Sequence, residues 1–167
     1  YEGKRVAVSV LGASREIYAI GMMCPTEEIG NRWTEAQLHP IEPRMVADGP
    51  VHHEVQVGET LLEHGGLDEF PIPISTPGFD IAPYMSSPYW VSKDPENHIR
   101  NVGTYRVHVK APARTSIYWG NLKQGVGIHW NKCRKLGIPL EAAIVIGAAP
   151  NIGFVSVAKL PQDVDEF

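Results

Sequence analysis

The sequence lacks the features of a disulfide-stabilised, membrane-spanning or nucleotide-binding protein. It has only two cysteines, Cys24 and Cys133, which form no CxxC pair, so we expect free thiols and a cytoplasmic location. Every apolar run is shorter than the roughly 20 residues that a membrane helix needs, and no signal-peptide pattern is present. The P-loop, the GxGxxG dinucleotide fingerprint and the GxSxG nucleophile elbow are also missing.

The sequence also lacks an excess of positive charge. Its net charge is −4, from 15 basic and 19 acidic residues, so we expect no broad basic face for nucleic acid. With 43% hydrophobic and 20% charged residues, the composition is that of an ordinary globular protein. A chain of 167 residues is long enough to bury a core of its own. We therefore predict a globular domain without a nucleic-acid partner or a membrane span.

Short segments with strand-like patterns outnumber those with helical patterns. The sequence predicts strands at 5–11, 51–57, 89–92, 105–110, 115–119 and 142–146, and helices at 14–23, 27–38 and 126–136. The run at 142–146 is wholly apolar, which indicates a central strand buried on both faces. Short strands that are joined mostly by turns favour an α+β fold with an antiparallel or mixed sheet.

Four segments stand in an informative order. Leu11-Gly12-Ala13-Ser14-Arg15-Glu16 comes first, Asp80-Ile81-Ala82-Pro83-Tyr84 follows, and Asn101-Val102-Gly103-Thr104-Tyr105-Arg106 lies at the mouth of a predicted strand. The fourth segment, residues 137–150, has the pattern G-x-P-x-x-x-A-x-x-x-G-x-x-P. Together, by order and spacing, these segments resemble the UbiD family of reversible decarboxylases, which use prenylated FMN.

The resemblance implies a fold and an activity. It implies a split β-barrel flavin-binding domain over residues 1–167, which is the central part of a longer or split enzyme. The expected partners are the remaining segments or subunits of that enzyme, and the enzyme is expected to form a homo-oligomer. The implied reaction is the non-oxidative, reversible decarboxylation of an aromatic, heteroaromatic or acrylic carboxylic acid, with release of CO₂, through a covalent adduct with prenylated FMN. A cofactor is needed because no side chain here can hold the carbanion that is left when CO₂ departs from an sp² carbon.

Two alternatives stay open on the sequence alone. The chain could be a non-catalytic flavin-binding or assembly subunit of a multi-chain carboxylase. It could also be a split-barrel reductase that uses ordinary FMN, although that activity needs a nicotinamide site, for which we find no sequence sign.

The resemblance also assigns the candidate site residues. Arg106 is implied as the catalytic residue between the flavin and the substrate carboxylate, which suits a guanidinium that donates two parallel hydrogen bonds. Asn101 is implied as a ligand of Mn²⁺ or Mg²⁺ beside the cofactor phosphate, because an amide oxygen is a hard, neutral ligand; K⁺ is a further candidate ion. If 101–106 lies on one regular strand, the two side chains point to opposite faces. The implied cofactor-binding residues are Ser86, Asn101, Thr104, Arg106, Gln124, Ser156 and Val157.

Hydroxyl side chains have an equally ordinary interpretation. Serine and threonine often form local hydrogen bonds with the backbone, and this applies to Ser86, Thr104 and Ser156.

Gly125 is a departure from the family pattern. It follows Gln124 at the position where the resemblance implies a histidine ligand for the metal. His129 lies one helical turn later, but it matches a position that is not a ligand in the family, so we do not favour it as a replacement. The expected ligands are then Asn101, phosphate, water and a carboxylate from outside this sequence, and Gly125→His is expected to tighten Mn²⁺ binding.

The last residues of the sequence are acidic. Because neighbouring like charges usually lie in water, we predict a solvated stretch that does not supply the carboxylate partners of Arg106. The residues concerned are Asp163, Asp165 and Glu166.

Overall fold

The computed structural model describes residues 3–63 and 65–167. They divide into two compact units, between which the chain passes several times. The first unit includes residues 42–86 and 106–117, and the second includes 7–41, 87–105 and 118–167. The expectation that residues 1–167 act as one central domain stays a prediction.

The first unit is built on a three-stranded sheet with the order β1-β4-β5. Its strands are β1 (Tyr84–Met85), β4 (Arg106–Ala111) and β5 (Arg114–Tyr118). In the antiparallel pair of β1 and β4, Met85 lies opposite Val107, which is completely buried. The predicted strand pair around residues 111–114 is thus confirmed, because β4 and β5 are hydrogen-bonded neighbours.

The strand predicted at 51–57 is wrong. This segment holds only a short 3₁₀ turn, Pro50–His52, followed by irregular chain. Its valines alternate as they would in a strand, but Val51 is 81% exposed and Val57 is 68% exposed. Alternation reflects a preference for a half-buried pleated surface, and no such surface forms here within the described residues.

The second unit contains the other sheet and the α-helices. The sheet has the order β3-β2-β6, with both pairings antiparallel. Its strands are β2 (Tyr89–Lys93), β3 (Arg100–Thr104) and β6 (Ala142–Val145). The helices are α1 (Val10–Ala13), α2 (Arg15–Met22), α3 (Ile29–Leu38), α4 (Gly125–Leu136) and α5 (Pro150–Val155).

Aromatic packing joins three of these helices. The ring of Phe154 on α5 meets Tyr18 of α2 at 5.4 Å and Trp33 of α3 at 5.0 Å between centroids, both edge to face. The helix α4 ends at Gly137, as the sequence predicts, because its φ of 70° is a left-handed conformation that glycine adopts without strain.

Two further strand predictions fail. Residues 5–11 form no strand, and the end of that segment begins the short helix α1. The strand β6 exists, but it lies at the edge of its sheet, and Ile146 beyond it is 62% exposed. An apolar run cannot by itself distinguish a central strand from an edge strand.

The fold class is confirmed as a mixture of helices and antiparallel sheets. The described residues form two separate three-stranded sheets and no closed barrel, so the split barrel stays a prediction. Among the same residues, none of the helices has the length and apolar character needed to cross a membrane.

Candidate functional site

The Asn101–Arg106 segment is not one regular strand. Asn101 lies within β3, opposite Ser92 of β2. The strand ends at Thr104, and β4 begins at Arg106 in the other sheet. The buried Tyr105 lies between them. Asn101 and Arg106 therefore do not share one strand, and the condition for placing their side chains on opposite faces of it is not met.

A cavity of about 880 Å³ lies along β3 in the second unit. The structure brings together here five of the residues that the sequence proposed for cofactor binding, namely Asn101, Thr104, Gln124, Ser156 and Val157. Lys123 and Lys159 also line the cavity, and both residues are exposed. The wall therefore offers amide and hydroxyl groups together with cationic side chains and the carboxylates of Asp94, Asp163 and Glu166.

The other two candidates belong to the first unit. Ser86 directly follows β1 and Arg106 opens β4, so the antiparallel register brings them to the same end of this strand pair. Both residues are exposed. The buried Val107 anchors the backbone directly after Arg106.

Asn101 has one satisfied and one unsatisfied amide atom. Its Nδ2 donates a hydrogen bond to Glu166 Oε2 at 2.8 Å, and the same carboxylate oxygen accepts the backbone N–H of Val102. Its Oδ1 is buried and has no hydrogen-bond partner among the described residues. Burial raises the pKa of Glu166, against the opposing effect of the two hydrogen bonds that its carboxylate accepts. A buried acceptor without a partner costs about 1–3 kcal/mol, which a bound ligand can recover.

The prediction of a solvated acidic stretch is wrong for Asp165 and Glu166, which are half-buried, whereas Asp163 is exposed as expected. Asp165 forms an ion pair with Arg100 at 2.9 Å, and the backbone N–H of Glu166 donates to the carbonyl of Arg100 at 3.2 Å. Burial alone would raise the pKa of Asp165, but hydrogen bonds and the positive charge of Arg100 lower it overall. Arg100 and Asp165 are 65 residues apart in sequence, so the local acidic composition gave no sign of this ion pair.

Gly125 allows α4 to approach Asn101 closely. A Cβ atom at position 125 would overlap the Cγ, Oδ1 and Nδ2 atoms of Asn101. The glycine therefore does more than remove a histidine from the site, because it makes room for the Asn101 amide where the amide now lies. The sequence shows that Gly125 replaces the family histidine, but it does not show that a side chain here would overlap Asn101.

The hydroxyls of Thr104 and Ser156 bind each other. Their oxygens are 2.7 Å apart, and Ser156 Oγ also donates to the carbonyl of Gly153 at 2.8 Å. Because Ser156 has only one hydroxyl proton, Thr104 is the donor between the two. Both hydroxyl protons therefore have protein acceptors. This fits the alternative interpretation of Thr104 and Ser156 as residues that form local hydrogen bonds.

His129 lies on the inner side of α4 and is buried. Its Nδ1 is 2.9 Å from Ser92 Oγ, whereas its Nε2 is 3.9 Å from Asp94 Oδ2. Asp94 binds Lys132 instead, at 2.6 Å. Burial lowers the pKa of His129, against the opposing charge of Asp94. Within residues 3–63 and 65–167, no group of three His, Cys, Asp or Glu side chains is placed to hold a metal ion.

Comparison with known proteins gives a consistent result. The family model described as the UbiD 3-octaprenyl-4-hydroxybenzoate carboxy-lyase Rift-related domain matches residues 44–167. An uncharacterized protein of Aquifex aeolicus is 37% identical over 131 residues, which cover 78% of this chain and 26% of the relative.

Two solved structures are also similar. The UbiD-class enzyme HmfF from Pelotomaculum thermopropionicum, in complex with FMN, matches with a TM-score of 0.78 and 29% identity over 92% of this chain and 33% of its own. An evolved dimeric form of HmfF, in complex with prFMN, matches with the same TM-score and identity, over 35% of its own chain. The present chain thus spans about a third of these structures and about a quarter of the curated relatives.

Proposed function

The chain belongs to the UbiD family, and we propose that it forms the prenylated-FMN-binding part of a decarboxylase that acts on an aromatic, heteroaromatic or acrylic carboxylic acid. The single observation that carries the proposal is the unsatisfied Oδ1 of Asn101 beside the cavity along β3. A protein rarely leaves a buried acceptor without a partner unless a ligand or a water binds there. The similarity to an HmfF form that holds prFMN supports the identity of the ligand.

The residues around Asn101 fit the phosphate end of such a cofactor. Lys123 and Lys159 supply positive charge at the cavity wall. Asn101 and Glu166 would supply two hard oxygen ligands to Mn²⁺ or Mg²⁺, with phosphate and water completing the coordination. This replaces our expectation of a carboxylate from outside the sequence, since Glu166 already binds the Asn101 amide. K⁺ stays a further candidate ion.

The chemistry is shared between the cofactor and the chain. Prenylated FMN, when bound, supplies the electron sink that the side chains of this protein lack. Arg106 binds and orients the substrate carboxylate through paired hydrogen bonds, which holds the bond to be broken in a fixed direction. The family resemblance assigns cofactor contacts to five further residues. Ser86 lies at the same strand end as Arg106, and the other four, Thr104, Gln124, Ser156 and Val157, line the cavity.

A second candidate function is a flavin-binding or assembly subunit without activity of its own. Gly125 at the position of an expected histidine ligand favours it. The decarboxylase is the better proposal because the segment that ends at Arg106 matches the family pattern, including the arginine that would bind the substrate carboxylate. The cytoplasmic location and the homo-oligomer, the latter supported by the dimeric form of HmfF, also stay proposals.

An isotope-exchange assay tests the proposed function. We expect the full protein, purified from cells that make prenylated FMN, to move ¹³C from bicarbonate into the carboxyl group of at least one acid in a panel of the three classes. Protein from cells without the prenylated cofactor is the control and should exchange nothing. Oxidation of NADH by the protein without any exchange would instead support the flavin reductase, and binding of the cofactor without exchange would support the assembly subunit.

A further inference from the structure

Three residues of α4 that carry no apolar side chain lie beside its buried Val126 and Cys133. Gly125, His129 and Lys132 are spaced i, i+4 and i+7, so they lie on one side of the helix. We call these three residues the polar stripe. Helices usually present apolar residues to a sheet, and Val126 and Cys133 of α4 do so, so the buried His129 among them calls for a specific reason.

Each residue of the polar stripe meets a different residue of the β2–β3 hairpin. Gly125 lies against Asn101, His129 binds Ser92, and Lys132 binds Asp94. Ser92 and Asn101 are direct partners in the register of β2 and β3, so their side chains point to the same face of the sheet. α4 therefore contacts this residue pair at two adjacent points, through His129 at Ser92 and through Gly125 at Asn101.

The contact with Ser92 is geometrically the most restrictive of the three. The His129 side chain is 7% exposed, and the ring and the hydroxyl are both short and buried. Lys132 has a long, flexible side chain that is 29% exposed, and it can follow a small shift of the helix. A shift of α4 that Lys132 tolerates would break the bond between His129 and Ser92 and leave two buried polar groups unsatisfied.

The register of α4 matters because of Gly125. The residues on either side of it, Gln124 and Val126, both carry side chains. A rotation of the helix by one residue, about 100°, would bring one of these side chains to the Asn101 amide. Since even a single Cβ overlaps that amide, the position of Asn101 depends on how firmly this register is held.

We propose that His129 is a positioning residue for the cofactor site, whose hydrogen bond to Ser92 fixes α4 in the register that keeps Gly125 beside the Asn101 amide. The inference rests on the proposed function, because it assigns His129 an effect on cofactor binding that acts through Asn101. His129 also lines the cavity, but its side chain is only 7% exposed and its Nδ1 is engaged with Ser92, so we assign it the positioning role and no direct contact with cofactor or metal. The proposal also explains why a buried polar residue lies on this face of α4.

The experiment measures binding of ordinary FMN, the probe, to the full protein by flavin fluorescence, together with thermal unfolding. We expect His129→Leu to weaken FMN binding about tenfold, the lower end of the effect of losing an outer-sphere partner. His129→Asn places an amide near the Nδ1 position and should stay within about threefold of wild type if the Ser92 hydrogen bond is rescued. Ser92→Ala should match His129→Leu, and the double variant should be no worse than either single one.

The Asn101→Ala background separates positioning from a general loss of stability. There, His129→Leu should change FMN affinity less than about twofold, because the group that it positions is gone. Its effect on the unfolding temperature should be the same in both backgrounds. Cys133→Ala is the matched control, since it removes a buried side chain from the same helix and should lower the unfolding temperature without weakening FMN binding.

Three results would overturn the inference. One is an equal loss of FMN affinity from His129→Leu with and without Asn101. Another is that His129→Leu and Ser92→Ala both leave FMN affinity unchanged while Asn101→Ala weakens it. In that case the positioning role of His129 is wrong, but the proposed cofactor site is not. Unchanged affinity in Asn101→Ala itself would show that the proposed cofactor site is wrong, and the inference would fall with it.

Discussion

Replacing Arg106 with alanine is expected to reduce decarboxylation by about 30-fold to several thousand-fold while much of the flavin stays bound. Arg106 is exposed in the chain alone, and we expect bound cofactor and substrate to cover it. Losing one partner of a charge pair that is covered in this way costs on the order of 2–5 kcal/mol, which corresponds to that range. The effect should fall mainly on turnover, since the proposed contact of Arg106 is with the substrate carboxylate. The measurements are isotope exchange with bicarbonate and the flavin absorbance of the purified protein.

Two further variants control for charge and for position. Arg106→Lys keeps the charge but loses the fork of parallel donors, so its activity should lie between wild type and Arg106→Ala. Arg114→Ala removes another exposed arginine at the start of a strand, β5 of the same sheet, and should stay within a few-fold of wild type. Activity of Arg106→Ala close to that of wild type would exclude the catalytic role.

The second large effect is expected at Gly125. The sequence alone suggests that Gly125→His restores a metal ligand and tightens Mn²⁺ binding, but the structure predicts the opposite. Any side chain here displaces the Asn101 amide and breaks its 2.8 Å hydrogen bond to Glu166. Losing the proposed contact of the displaced Asn101 amide with the cofactor site should cost about 1–3 kcal/mol of binding free energy, so Gly125→Ala should weaken FMN binding by about 5- to 150-fold. Gly125→His should weaken it at least as much.

Gly120→Ala is the matched control for this prediction. A Cβ at position 120 meets no atom within 4 Å, so this variant should bind FMN and Mn²⁺ as wild type does. FMN titration and metal content after dialysis are the measurements. If Gly125→His retains more Mn²⁺ than wild type, the steric role that we assign to Gly125 is incorrect.

Local patterns predicted the elements whose partners are close in sequence or whose ends carry clear signals. The helix α4 shows helical spacing and ends at Gly137, and the strands around 106–118 follow each other across a short turn. The segments at 5–11 and 51–57 have the same alternation as real strands. They fail because a strand also needs a neighbour to pair with its backbone, and alternation carries no information about that neighbour.

The candidate site was predictable only in part, for a similar reason. The family resemblance assigned five residues to cofactor binding that the structure places along one cavity, namely Asn101, Thr104, Gln124, Ser156 and Val157. The contacts that determine their behaviour are long-range. Neither the carboxylate of Glu166 at the Asn101 amide nor the need for a glycine at position 125 follows from nearby residues.

The identity and occupancy of the bound flavin test the central claim most directly. The full protein and its Asn101→Ala variant are purified from cells that make prenylated FMN, and the released cofactor is identified by its mass and absorbance. Our account predicts prenylated FMN in nearly every wild-type molecule and a clear loss of occupancy after dialysis in Asn101→Ala. Wild-type protein that holds no flavin or only ordinary FMN, or an Asn101→Ala variant with full occupancy, would contradict it.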